Sequence, residues 1–314
     1  MPRVLITSFA LAVALVSTAG AQVKLEVKHA EKTSWSYQNT VKLHQVLTFM
    51  GVDIETRSEE ATTTGHNVGE RRPDGSLPIV NSIDAVRAKI ELPGNLKVMF
   101  DSAEPEANKP KEPALLTLWT LLRSLSGVKY TLVLDRDGKV SAVEGTESIL
   151  DNAGDLDQAT RDDVKARFTP DRLKQAAQEE FRLFPEILVR EGDHWENTEV
   201  MPISGGQTLT FTRRYEYLGT VKEGGQTLDK IRDQATAVLY AMEPNPASPI
   251  KVTKSDLAVE SSEGVILFDR EAGRIIHRHD KTRIKGEMTL EIGNAEQPAK
   301  LDLSIEVDQR LKTP

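Results

Sequence analysis

Cysteine is absent from all 314 residues of the chain. That absence excludes disulfides, thiol nucleophiles, Cys-ligated zinc and the lipid-modified cysteine of an anchored lipoprotein. Aromatic residues are scarce, at 5%. Long hydrophobic runs are scarce too. Beyond the N-terminus the longest is "ALLTLWTLL", Ala114 to Leu122, nine residues, against the roughly 20 of a membrane span. Excess basic charge is also missing: 40 Lys and Arg face 48 Asp and Glu, for a net charge of −8. Such a balance argues against nucleic acid and against electrostatic docking on anionic lipid. No His-Glu-x-x-His, phosphate loop or dinucleotide fingerprint occurs, and Ser204 in "PISGGQ" sits in a turn before a strand, not in a nucleophile elbow. With 28% charged and 39% hydrophobic residues and no long low-complexity tract, the composition is that of a folded globular chain.

What is present starts at the N-terminus. Arg3, an apolar run from Val4 to Val16 and the small residues Ala19-Gly20-Ala21 have the layout of a secretory signal peptide, residues 1–21, cleaved before Gln22. The mature chain is then expected to be exported, periplasmic or secreted, soluble, and without a transmembrane anchor after cleavage. A cysteine-free exported chain of this length has to be held by its own core.

Period-2 alternation dominates the rest. Val86, Ala88, Ile90 and Leu92 share one face while Arg87, Lys89 and Glu91 share the other. Near the C-terminus Leu301, Leu303, Ile305 and Val307 repeat the pattern, as do Met288, Leu290 and Ile292, with "GNAEQP" between them as a hairpin connection. Similar stretches occupy Val41 to Arg57, Leu96 to Asp101, Leu209 to Leu218, Ala235 to Met242 and Val252 to Glu260. The pattern predicts a β-rich α+β fold: a large curved antiparallel sheet, half-barrel-like and compatible with two related halves, with two or three helices. The predicted organisation after the signal is an N-terminal β-rich half over 22–150, a helical connector over 151–190 and a C-terminal antiparallel half over 191–314.

Two helical stretches break the alternation. "EPALLTLWTLLRSLSG" has Pro113 in its first turn and Gly127 as its stop, and an apolar stripe of Leu115, Leu118, Trp119, Leu122 and Leu125. Leu116 and Leu121 widen that stripe, so the helix is expected to be buried on most sides or to plug an apolar concavity. In the connector, Thr169 can cap and Pro170 can open a second helix. The adjacent pairs Asp162-Asp163 and Glu179-Glu180 point about 100° apart and read as solvated faces, not as paired catalytic acids.

Three stretches invite a metal reading. "LDRDGK" at Leu134 to Lys139 resembles the start of a calcium loop, but Lys139 stands where a ligand is needed and the flanks are strand-like. Set beside "FDREAGR" at Phe268 to Arg274, it reads as a hairpin tip, with Asp135 and Asp269 making Asx turns and Gly138 and Gly273 at positive φ. His277 and His279 share one face of a strand among Arg274, Arg278, Lys281 and Arg283, which disfavour a cation. "DNAGDLD", Asp151 to Asp157, lacks a closing Glu and reads as a capping linker. No metal, cofactor or catalytic residue is predicted.

The "FP-x5-EGDHW" stretch from Phe184 to Trp195 and the late "FDREAGR" hairpin resemble a poorly characterised family of exported bacterial β-rich proteins known only as a domain of unknown function. At the level of architecture the chain is similar to the lipoprotein-carrier (LolA-like) half-barrel. That resemblance implies an apolar cavity between sheet and helix, with the Leu115 to Leu125 helix as its lid. The expected function is non-enzymatic binding of a hydrophobic small molecule or the lipidated end of a partner in the cell envelope, with Leu115, Leu118, Trp119, Leu122 and Trp195 as candidate ligand contacts. Two alternatives stay open: an envelope structural or protein-interaction module, and a hydrolase with dispersed residues.

Overall fold

The computed structural model describes residues 22–147, 149, 158–202, 207–242, 250–293 and 295–312. The predicted signal peptide, "DNAGDLD" and Ser204 lie outside these described residues.

The alternation becomes one antiparallel sheet. Its strands are β1 (Ser34–Phe49), β2 (Val52–Val68), β3 (Leu77–Leu92), β4 (Leu96–Asp101), β5 (Lys129–Leu134), β6 (Val140–Glu144), β7 (His194–Pro202), β8 (Gln207–Glu223), β9 (Gln226–Met242), β10 (Ile250–Asp269), β11 (Arg274–Ile292) and β12 (Ala295–Lys312). The spatial order is β6-β5-β3-β2-β1-β12-β11-β10-β9-β8-β7, with β4 alongside β3 beyond the end of β5. Neighbours in this order are mostly neighbours in sequence, joined by hairpins. The exception that unites the sheet is β1 with β12, paired from Ser36↔Lys312 to Phe49↔Ala299. Strands such as β10, at 20 residues, far exceed the usual five or six, and right-handed twist accumulated over that length curls the sheet.

One predicted strand, Val41 to Arg57, is instead a hairpin. Phe49 pairs with Val52 across a two-residue turn in which Met50 and Gly51 both have positive φ, 51° and 78°. That is the primed-turn geometry that matches strand twist. Met in place of Asn or Asp hid it from the sequence. The strands at Leu209, Ala235 and Val252 run longer at their ends than the alternation indicated, to β8, β9 and β10.

The two Asp-Arg-acid tips are hairpin turns, as read. Asp135 Oδ1 accepts from the amides of Asp137 and Lys139, each at 2.9 Å, and Asp269 Oδ1 from those of Glu271 and Ala272 at 2.9 and 3.0 Å. Gly138 and Gly273 carry the positive φ. The two hairpins are not equivalent in the sheet: β5–β6 forms an edge, whereas β10–β11 is internal. The shared tip sequence therefore reports turn chemistry.

Helix α1 (Pro113–Leu125) packs on β3 and β4. The connector supplies α2 (Gln158–Arg167) and α3 (Pro170–Phe181), where Thr169 Oγ1 caps by accepting from Arg172 N at 3.3 Å. This connector reaches both edges of the sheet. At β6, Lys174 Nζ and Gln178 Nε2 donate to the carbonyls of Ser141 and Val140. At β7, Trp195 Nε1 and Asn197 Nδ2 donate to Leu183 O at 2.9 and 2.8 Å. Helix α3 and the chain after it thereby bridge the two edges of the curled sheet, and a cavity lies between them.

Candidate binding cavity

Helix α3 turns one face to that space. Leu173, Ala176, Ala177, Glu180 and Phe181 follow helical spacing, and all five line that cavity. Ala176 and Glu180, one turn apart, remain accessible because what they face is a cavity. A larger chamber of about 420 Å³ lies against β1, β3, β7, β8 and β11. A smaller one of about 140 Å³ extends from it under the β10–β11 tip. Tyr37, His66, Asn81, Tyr130, Glu180 and Ile275 wall both.

The N-terminal segment 22–33 closes the small chamber. It has little regular structure but is pinned: Val23 exchanges backbone hydrogen bonds with Val189, Lys28 N donates to Gly273 O at 3.1 Å, and Leu25 is buried in the core. Gly273 tolerates this contact only as glycine, since a Cβ there would collide with Lys28. His29, carried inward by this segment, meets Phe181 at 4.7 Å between ring centroids. Trp35 on β1 stacks on His66 at 5.2 Å, and the Arg274 guanidinium lies over the Trp35 ring at 4.1 Å.

Electrostatics divide the chambers. In the larger one, Glu199 and Arg278 belong to a buried ion network. Arg213, 1% exposed, pairs through its three guanidinium nitrogens with Glu199, with Asp233 at 3.0 Å and with Asp280 at 2.7 Å. Arg278 adds Glu199 at 3.2 Å and Asp233 at 3.1 Å. Burial raises the Asp280 pKa against the pull of both arginines, while the arginines hold Glu199 low despite its own burial. Gly264 makes room for the network: a Cβ there would lie 2.8 Å from Asp233 O and 3.0 Å from Asp280 Cβ.

In the smaller chamber Arg274 and Lys28 supply the positive charge, the Lys28 Nζ donating to the carbonyls of Arg270 and Glu271. Burial, with His66 and Arg274 nearby, pushes His29 down to about 4, and burial also lowers His66. His66 Nδ1 donates to Asn81 Oδ1 at 2.6 Å. Enclosure raises the Glu180 carboxyl, which in turn helps burial raise the Tyr37 and Tyr130 hydroxyls, Tyr130 to about 12. This arrangement can hold a molecule with an apolar body against aromatic and aliphatic walls and a polar end against a few fixed donors.

The residues singled out from sequence lie elsewhere. Leu115, Trp119 and Leu122 are buried with Leu118 against Val86, Ala88, Ile90, Val98 and Phe100, so that α1 fills its concavity and does not line either chamber. Trp195 packs on the core beside the cavity, stacked on Tyr215 at 5.6 Å, and Tyr215 is the one that faces the larger chamber. His277 and His279 share Asp308, at 2.9 and 3.5 Å. The cavity residues that sequence reasoning missed are His29, Trp35, His66, Glu180 and Arg274. In sequence Glu180 reads as part of a solvated pair with Glu179. The available signal was its place at the end of the Leu173, Ala176, Ala177 stripe.

Among known proteins, residues 74–228 match a family of unknown function, DUF6263. No curated protein matches by sequence. A structure concerning lipid-protein interactions in lipovitellin aligns over 91% of this chain and 26% of its own, at 10% identity and a TM-score of 0.42. The chain thus spans about a quarter of that protein's length. A Bacteroides fragilis protein with a YmcC-like fold aligns over 92% of this chain and 99% of its own, at 8% identity and a TM-score of 0.21. A Vibrio parahaemolyticus domain assigned to outer membrane lipoprotein sorting aligns over 88% and 86%, at 9% identity and a TM-score of 0.13. Scores this low do not carry function across, so function is read from the cavity itself. No helix among the described residues is long and apolar enough to cross a membrane.

Proposed function

We propose that this chain, which carries a domain of the DUF6263 family of unknown function, is a non-enzymatic binding protein of the cell envelope that holds a small amphipathic molecule between α3 and the curled sheet. The observation that carries this is the chamber of about 420 Å³ between α3 and the sheet, a size within the roughly 300–1,000 Å³ of small-molecule sites. Its walls belong to strands from both ends of the chain, so occupancy ties the sheet together through bound ligand. The signal-like N-terminus supports an envelope setting.

Native mass spectrometry of the purified protein, with and without envelope lipid extract, tests the reading. Retained mass is expected from the extract. Ala176→Phe projects a ring into both chambers from a position accessible to the cavity, and is expected to abolish retention while leaving the fold intact by circular dichroism. No adduct in the parent protein, or undiminished adduct in the variant, would sink the proposal.

A further inference from the structure

We infer that the bound molecule is a carboxylate amphiphile whose anionic head is recognised by Arg274 in the smaller chamber; the inference rests on the binding function above and specifies its ligand.

Of the two arginines that line the cavity, Arg278 is already compensated by Glu199 and Asp233. Arg274 is not. Among the described residues no carboxylate lies within ion-pair distance of it, and its hydrogen bond is from Nη2 to the neutral Thr33 Oγ1 at 3.1 Å. Its Nε is buried without a protein partner. Two more donors in residues lining the same chamber share that condition, Trp35 Nε1 and Asn81 Nδ2. Unpaired buried donors are costly, and their natural complement is an acceptor-only group.

A carboxylate supplies two acceptor oxygens in the plane that a guanidinium fork matches. The guanidinium is itself fixed by stacking on Trp35, itself stacked on His66, so little ordering is left to be done on binding. Neither histidine competes as a second cation, since burial lowers both, and the Nζ of Lys28, the other cation lining this chamber, is engaged by the carbonyls of Arg270 and Glu271. Glu180, which walls both chambers, has its carboxyl pushed up by burial, against the pull of Arg278. From this head site the larger chamber, reached past Ala176 and Ile275 towards Leu183, has room for the remainder of the ligand.

The test is isothermal titration of the purified protein with three probes of equal chain length: laurate, dodecan-1-ol and dodecyl phosphate. Laurate is expected to bind about tenfold or more tighter than the alcohol, the scale of one charge-assisted contact, and no weaker than the phosphate. Arg274→Met is expected to remove most of that preference, bringing laurate down towards dodecan-1-ol. If Arg274→Met does not fold, Trp35→Phe keeps the ring, removes one donor and is expected to narrow the laurate preference alone. Equal binding of laurate and the alcohol, or an unchanged ratio in the folded variant, overturns carboxylate recognition and leaves the binding function standing. Tighter phosphate binding overturns the choice of carboxylate. If none of the three probes binds, the binding function itself falls with the inference.

Discussion

Asp308 shows how a single side chain carries a pH dependence in this fold. It accepts from Arg310 Nε at 2.6 Å and from His277 at 2.9 Å, and these contacts, the Arg310 hydrogen bond first, pull its carboxyl down to about 2. An ordinary aspartate titrates near 3.9. A depressed folded pKa stabilises the fold above the unfolded value and loses that contribution as pH falls through about 2. Asp308 is partly exposed and screened, so its contribution is on the order of 1 kcal/mol. Asp308→Asn is therefore expected to lower stability by about that amount at neutral pH, with the gap to the parent closing below the folded pKa. Urea denaturation at a series of pH values checks it, and a gap that persists unchanged at the acid end contradicts it. The residues that could be weighed from sequence alone were those with a turn or a cap to perform: Asp135, Asp269, Gly138, Gly273 and Thr169 do as their chemistry requires. Residues such as Trp35 and Arg274 gain their role from a neighbour 239 positions away in the chain, which no local pattern records.

Among the elements, β10 lies between β9 and β11, and Gly264 is the point where it yields to the ion network. A methyl group there would press on the Asp233 carbonyl and the Asp280 Cβ, neither of which can swing away within a paired sheet. Gly264→Ala is expected to cost about 1–3 kcal/mol, the usual range for overpacking. Chemical denaturation would read it, and a neutral or stabilising result would show that the network has slack. The helices were legible as helices, and their faces were not. Helix α1 has the wider apolar stripe and spends it on β3 and β4. Helix α3 is largely polar, yet its position between the two sheet edges makes it the wall of the cavity. Apolarity marks what is buried, but a binding face keeps polar groups and reads from sequence as surface.

For the whole molecule, the pairing of β1 with β12 determines whether there is one sheet or two fragments. Strand β12 is hydrogen-bonded on both sides and buries Leu301, Leu303 and Ile305. At about 1.5–3 kcal/mol for each such side chain, the loss approaches the roughly 5–15 kcal/mol of a typical domain. Ending the chain before β12 is expected to abolish cooperative thermal unfolding in calorimetry. A truncated chain that still melts in one sharp transition would show that the remaining strands suffice.

By itself the sequence determined the class of structure. Alternation with period 2 commits a segment to a half-buried antiparallel strand wherever it lies, and Pro113, Thr169 and the Asx turns act within a few residues of themselves. Tertiary structure alone decided where the curled sheet closes, that α3 closes it, and that His29, Trp35, His66, Glu180 and Arg274 meet around one cavity. The physical reason is range. Strand and turn preferences are settled by neighbouring backbone, whereas a cavity is the volume left over when strands from both ends of the chain pair and twist, and each of its walls is local to a different part of the sequence.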